Sequence, residues 1–274
     1  MLGSVKSLRS TEWLLIGYFS YVALISAAPL PVLVLFLAAS LVAVLAYGES
    51  HGNREFFSVA RDWVPLALTV VAYREMDWFT PLAIDHHLEL QWIKWDRSLL
   101  RHWRLQGALL PSYLEFCYLL VYAVGPFTVA VFYLAHRRNR VNQALLLYLL
   151  GTLLAYALFP YFPSQPPRTL FGDSDLPNVM TALRRFNLWI VDGVGIHSSV
   201  FPSAHVSSAF SAAWALLLYL PERKRYGWGM LIYAASVSVA TVYGRYHYAV
   251  DALAGFGVSV IAAGIVLLAA DERR

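Results

Sequence analysis

Residues 201–270 read FPSAHVSSAFSAAWALLLYLPERKRYGWGMLIYAASVSVATVYGRYHYAVDALAGFGVSVIAAGIVLLAA. Three apolar runs, about 203–220, 228–243 and 248–269, are separated by a basic turn, Pro221–Arg225, and a polar turn that leads to His247. A helix needs about 20 mostly apolar residues to cross the hydrocarbon of a bilayer, and these runs fall near that length. Short turns make successive helices run down, up and down again. The starts of the first and third runs then meet at one membrane face, and His205 and His247 stand at those two starts.

Composition places the whole chain in the same class. Of its 274 residues 59% are hydrophobic and 14% charged, whereas about a quarter of an average soluble domain is charged. Aromatics reach 15%, with the Trp and Tyr that settle at membrane interfaces. The single Cys117 excludes an intramolecular disulfide. A net charge of +4, spread between apolar runs, argues against a nucleic-acid partner and suits an anionic lipid surface.

Working outward, further spans are expected at about 113–135 and 141–160, two more between Trp13 and Tyr47, divided by Pro29 and Pro31, and one from Trp63 to about Phe79. The last requires Arg74, Glu75 and Asp77 to snorkel to the interface. The expectation is an all-α, polytopic membrane helical bundle of about eight spans. Leu24–Ala28 resembles a signal-peptidase site, but an apolar run follows at once, so a retained first span is expected. Arg137, Arg138 and Arg140, then Arg223, Lys224 and Arg225, occupy short turns of equal parity, with Lys6, Arg9, Arg273 and Arg274 at the ends. The positive-inside rule makes that face cytoplasmic, which puts His205 and His247 at the outer face, periplasmic or luminal.

Two stretches do not read as spans. In His86–Arg104, Trp92, Trp95, Leu99 and Trp103 recur at helical spacing among Lys94, Arg97, Arg101 and Arg104, the pattern of a helix lying in the outer interface. The proline-rich segment 160–200 reads as a long outer loop, and long loops are usually functional. Two units follow: residues 1–110, holding the N-terminal spans and the interfacial helix, and residues 111–274, holding the chemistry.

That chemistry is concentrated in Phe201-Pro202-Ser203-Ala204-His205 and Gly244-Arg245-Tyr246-His247-Tyr248-Ala249-Val250-Asp251. His247 and Asp251 are four apart, so on a helix they share a face and can touch. The carboxylate can fix the imidazole tautomer and leave the other nitrogen as a nucleophile. The adjacent pair His86 and His87 points apart on a helix and reads as interface residues, not as metal ligands. Ionisable groups at membrane depth that come with a partner are functional by default.

Pro202-Ser203-Ala204-His205 and His247-x-x-x-Asp251, followed by Ala254-Gly255, resemble the second and third signature motifs of the type 2 phosphatidic acid phosphatase superfamily. The branch they resemble most is the inositol phosphorylceramide synthase group, with the sphingomyelin synthases a more distant relation. The resemblance spans roughly residues 110–270 and implies a six-helix catalytic core. It implies that His247 takes the phosphoryl group as a phosphohistidine, that Asp251 orients it, and that His205 serves first as general acid and then as base. The implied set needs no metal and no organic cofactor. Its partners are a phospholipid or other lipid-phosphate substrate and either water or an alcohol acceptor.

Departures from the family pattern bear on the substrate. Hydrolases of this superfamily carry a Lys seven residues before an Arg-Pro, and an Arg six residues before the nucleophilic His. Here Tyr161 stands seven before Arg168, Thr169 follows that arginine, and Thr241 takes the second position. Arg245 lies only two residues before His247. Fewer cations suit the single charge of a phosphodiester better than a monoester dianion. Transfer of a phosphoryl or phospho-headgroup group, as in an inositolphosphotransferase, is therefore the expected activity. A lipid phosphate or polyprenyl pyrophosphate phosphatase is the alternative, and a non-enzymatic lipid transporter or assembly protein is the rival of another class. Arg245 and Arg168, with Ser203, are the expected phosphate-binding residues. Arg184 or Arg185 folding back, and His197 lining the pocket, remain open alternatives, as does a lipid-headgroup anchor for Arg168. Glu115 reads as a helix cap or a substrate contact.

Overall fold

The computed structural model describes residues 8–81, 83–100, 105, 107–196 and 200–271, without the side chains of 173 and 174. Lys6, Arg101, Trp103, Arg104, His197, Arg273 and Arg274 lie outside the described residues. Among the described residues twelve α-helices follow in order: α1 Ser10–Ile25, α2 Leu30–His51, α3 Arg54–Glu75, α4 His87–Leu99, α5 Leu109–Leu120, α6 Val124–Leu134, α7 Val141–Leu158, α8 Pro167–Leu170, α9 Ala182–Val194, α10 Ala204–Tyr219, α11 Lys224–Tyr243 and α12 Ala249–Asp271. There is no strand among the described residues, as an all-α reading requires.

The expected apolar stretches are all helical, and the chain is a multi-pass membrane protein. Among the described residues five helical stretches are long and apolar enough to cross on their own: Leu30–His51, Arg54–Phe79, Leu109–Leu134, Arg138–Tyr161 and Ala249–Asp271. The helices α10 and α11 pass that test only as a pair bent by 106°, which gives up to six if the pair is one span. The count expected from sequence was about eight. The difference lies in length: α1 and α10 have 16 residues each, about 24 Å at 1.5 Å per residue, against a hydrocarbon thickness of about 30 Å.

Local chemistry explains the breaks. The stretch expected as one helix at 113–135 passes through a 3₁₀ turn at Val121–Ala123. Pro126 lies just beyond it, and its ring would collide with the carbonyl four residues back in a regular helix. The segment 160–200 holds α8 and α9 and is not a bare loop. Thr181 caps α9 by accepting from the Arg184 amide at 3.0 Å. The polar side of α9 faces inward, with Arg184 and Asn187 buried, while Phe186 and Trp189 are exposed. In α4, the helix expected at the outer interface, Trp92 and Ile93 face the protein with Glu89 and Asp96, and Trp95 and Leu99 face out.

Both basic turns lie at the end of the bundle away from the histidines. Arg137 and Arg140 pair with Glu222, and Arg140 also donates to the Tyr219 carbonyl at 3.0 Å. At the same end Arg61, fully buried, donates to both Glu12 oxygens and to Glu49, each at 2.6 Å. Asp62 there accepts from Arg9 at 2.7 Å and Arg138 at 2.8 Å. This balanced cluster ties α1, α2 and α3 to the α6–α7 turn.

Helix spacing then sets the site. At Gly151 of α7 a Cβ would overlap the Ser211 side chain of α10, and at Gly255 of α12 it would overlap the Ser203 carbonyl oxygen. The missing side chain at Gly255 lets the start of α12 press against the start of α10.

Candidate active site

The first turn of α10 is capped by Ser203, whose Oγ accepts from the Val206 amide at 3.4 Å. Its own amide donates to the Asp251 carbonyl at 2.9 Å. Ser203 is fully buried and is occupied as a cap and a tie between helices. Ahead of α12 the chain turns through Arg245 at φ +61°, a left-handed conformation uncommon for a side chain larger than Asn. The Tyr246 and His247 amides both return to the Thr241 carbonyl, at 3.0 and 3.1 Å. That turn lifts His247 off the helix, so its meeting with Asp251 is not the simple four-residue helical contact expected.

The contact survives in another form. His247 Nδ1 lies 2.9 Å from the Val200 carbonyl oxygen and 3.3 Å from Asp251 Oδ2. The same Oδ2 accepts from the Tyr248 amide at 2.8 Å. A carbonyl and a carboxylate can only accept, so Nδ1 carries the proton and the lone pair sits on Nε2. His247 Nε2 faces His205 Nδ1 at 3.4 Å. Burial pushes the His247 imidazole down to about 3, which keeps it neutral near neutral pH. The His205 ring stacks on Tyr118 with centroids 5.1 Å apart and meets Tyr122 edge-on at 5.7 Å.

These two histidines open into a cavity of about 770 Å³, a size suited to an organic ligand. Arg168 lines it with them. Its backbone amide donates to the Arg245 carbonyl at 3.1 Å, and its guanidinium lies 5.5 Å from the Tyr246 ring centroid. No hydrogen-bond or ion-pair partner engages that guanidinium among the described residues.

Arg245 does not line the cavity. Its Nε donates to the Asp175 carbonyl at 2.8 Å, and Nη1 stands 3.5 Å from Asp96 Oδ2. Burial lowers the pKa of this guanidinium, with Asp96 and Asp175 opposing the shift. Asp96 itself, pushed up to about 6 by burial, accepts from the Ala249 amide at 3.0 Å and so caps α12 from α4. Of the two arginines expected to bind phosphate, Arg168 lines the cavity and Arg245 does not. Arg184 is likewise engaged elsewhere: it donates to Glu115 at 2.8 Å and to the Gly244 carbonyl at 3.2 Å. Glu115 also accepts from Tyr246 and Asn187, each at 2.7 Å, so it anchors the turn instead of facing the cavity. Arg185 is exposed on α9. His86 pairs with Glu89 at 3.1 Å and His87 with Asp85 at 2.6 Å, and no cluster suited to a metal occurs among the described residues.

Sequence reasoning did not find Val200, whose role is played by a backbone carbonyl and leaves no side-chain signal. Nor did it find Asp96, which reads as one more charge on an interfacial helix.

A family model described as the PAP2 superfamily matches residues 82–265. The chain belongs to this superfamily, that of the type 2 phosphatidic acid phosphatases, and is a membrane enzyme of it. Among solved structures it is similar to the crystal structure of Aquifex aeolicus LpxE, at 21% identity and a TM-score of 0.48, over 64% of this chain and 93% of that one. No curated protein matches the chain.

Proposed function

We propose that the enzyme transfers a phosphoryl or phospho-headgroup group from a lipid phosphodiester, through a phosphohistidine on His247, to an alcohol or water. The observation that carries this reading is the facing pair, His247 Nε2 to His205 Nδ1 at 3.4 Å, with two acceptors fixing the proton on Nδ1 of His247. In the first step Nε2 attacks phosphorus, the bond from phosphorus to the leaving oxygen breaks, and His205 delivers a proton to that oxygen. In the second, His205 takes a proton from the acceptor hydroxyl as its oxygen attacks phosphorus, and the P–N bond breaks to restore His247. The reaction therefore requires His247 to be neutral and His205 to be protonated when the first step begins.

Charge supports a diester. Beside the histidines stands Arg168, while Arg74, which also lines the cavity, is held by the Val194 carbonyl at 2.9 Å, and Arg245 and Arg184 are turned to carboxylates and carbonyls outside the cavity. A monoester carries nearly two charges near neutral pH and a diester one. Rates for a headgroup-bearing phospholipid and for phosphatidic acid, side by side in nanodiscs with and without an alcohol, test the reading. The diester should react faster and the alcohol should compete with water. Rapid phosphate release from phosphatidic acid with the diester untouched would make the enzyme a phosphatase.

We place the active site at the outer face because the basic turns at the other end of the bundle follow the positive-inside rule. A cysteine at Arg138 should resist an impermeant thiol reagent in intact cells, and labelling there would reverse the orientation.

A further inference from the structure

The cavity has a wall that the family match does not include. α3, Arg54–Glu75, precedes the matched residues 82–265, yet Leu66, Ala67, Val70, Tyr73 and Arg74 line the cavity that His205 and His247 open into. Ala67, Val70 and Arg74 follow one another at helical spacing and are themselves exposed. Opposite them Tyr122 and Pro126 line the cavity and are exposed too. A residue that both lines a cavity and is exposed marks an opening. Val70 is 63% exposed and Tyr122 52%, and both lie on stretches that qualify as membrane spans. The opening therefore faces hydrocarbon and not water.

The slot has a floor. A Cβ on Gly125 would meet Leu66 Cδ2 at 2.8 Å and the Tyr148 hydroxyl at 3.0 Å, so α3 and α6 touch there. From Arg74 down to Leu66 the slot follows α3 for about 12 Å at 1.5 Å per residue. The top of α3 is fixed to the site: Tyr73 Oη accepts from the Ile196 amide at 3.1 Å, and Arg74 donates to the Val194 carbonyl at 2.9 Å. Val200, four residues after Ile196 in the chain, is the residue whose carbonyl holds His247.

We propose that the slot between α3 and α6 takes the hydrocarbon chain of the lipid substrate sideways from the bilayer, with Ala67 and Val70 as specificity-determining residues. The inference rests on the reading of the histidines as the phosphorus-handling end. A polar pair at one end, and an apolar slot open to lipid below it, match an amphiphile whose head reacts while its chain stays in the membrane. Transfer of the chain from bilayer to slot gains little hydrophobic energy, because lipid is as apolar as the slot. Discrimination must come from shape.

The variants Ala67→Trp and Val70→Trp fill the slot. The measurement is kcat/KM for a long-chain phosphodiester phospholipid relative to its dihexanoyl homologue, which has little chain to place. That ratio should fall about tenfold or more, the scale on which bulk forced into an apolar space acts. A second measurement needs no turnover: a phosphodiester phospholipid with a diazirine midway along one chain is photolysed with the wild-type protein, and adducts are mapped. Adducts should fall on residues 66–70 and 122–126 and be displaced in Val70→Trp. An unchanged ratio, or adducts confined to other faces of the bundle, would overturn the proposal. If the wild-type enzyme turned over neither lipid while the adducts mapped to the slot, the proposed chemistry would fail and the slot would stand.

Discussion

Arg168 and Arg245 provide a sharp comparison, since sequence position favours one and geometry the other. Arg168→Ala removes one of the two arginines that line the cavity, the one whose guanidinium has no partner among the described residues. Losing one donor to transition-state charge costs about a hundredfold to a thousandfold in rate, and that loss is expected in kcat with little change in melting temperature. Arg245→Ala removes the 2.8 Å bond to the Asp175 carbonyl and leaves Asp96 Oδ2 buried without its cation. A hydrogen bond from a charged group contributes about 1.5–3 kcal/mol, so the variant should melt roughly 5 °C lower. Its rate should fall less than that of Arg168→Ala, because the damage reaches His247 only through the turn. Single-turnover rates on a phosphodiester phospholipid, with melting followed by fluorescence of the nine tryptophans, separate the two effects. An Arg245→Ala enzyme slowed a hundredfold at unchanged melting temperature, beside a nearly silent Arg168→Ala, would refute the assignment.

Three further outcomes are expected. Asp251→Asn should lower the rate by about a hundredfold, less than the roughly 10⁴ seen when a triad aspartate is replaced, because the Val200 carbonyl still fixes the tautomer; single-turnover kinetics measure it. Arg61→Ala removes the buried guanidinium that pairs with Glu12 and Glu49 and leaves them only contacts such as those from Arg9; breaking a buried pair costs about 3–5 kcal/mol, visible as a lower melting temperature in detergent. For His247 the folded value of about 3 lies below the unfolded one of about 6.5, so between them the unfolded chain binds the extra proton. The His247 contribution is thus lost as pH falls from about 6.5 toward 3 and is constant above that window; melting temperature should therefore fall less steeply across it in His247→Gln than in the wild type.

The helical bundle and the meeting of His205 with His247 were legible because apolar run length and turn parity are properties of the sequence. The break before Pro126 was legible in principle from the proline alone. What sequence could not supply was direction. Arg245 sits beside His247 in the chain, but its left-handed turn sends the side chain to Asp96 and Asp175, residues 149 and 70 positions away. Arg168 is far in sequence and reaches the cavity because its amide is bound to the Arg245 carbonyl. The amphipathic α9 was hidden for a different reason: its buried face is the polar one, so an apolar stripe does not mark its core side.

In the proposed reaction His247 Nε2 bonds to phosphorus and His205 moves the protons. The most direct measurement is covalent trapping in His205→Ala with an aryl phosphodiester, whose leaving group departs without an acid. Phosphorylation of the enzyme should then proceed while its breakdown, which needs the base, stalls. Peptide mapping under neutral quench should find the phosphorus-bearing group on His247, acid-labile and absent from the double variant lacking His247. Steady turnover by that double variant, or label on any other residue, would contradict the account.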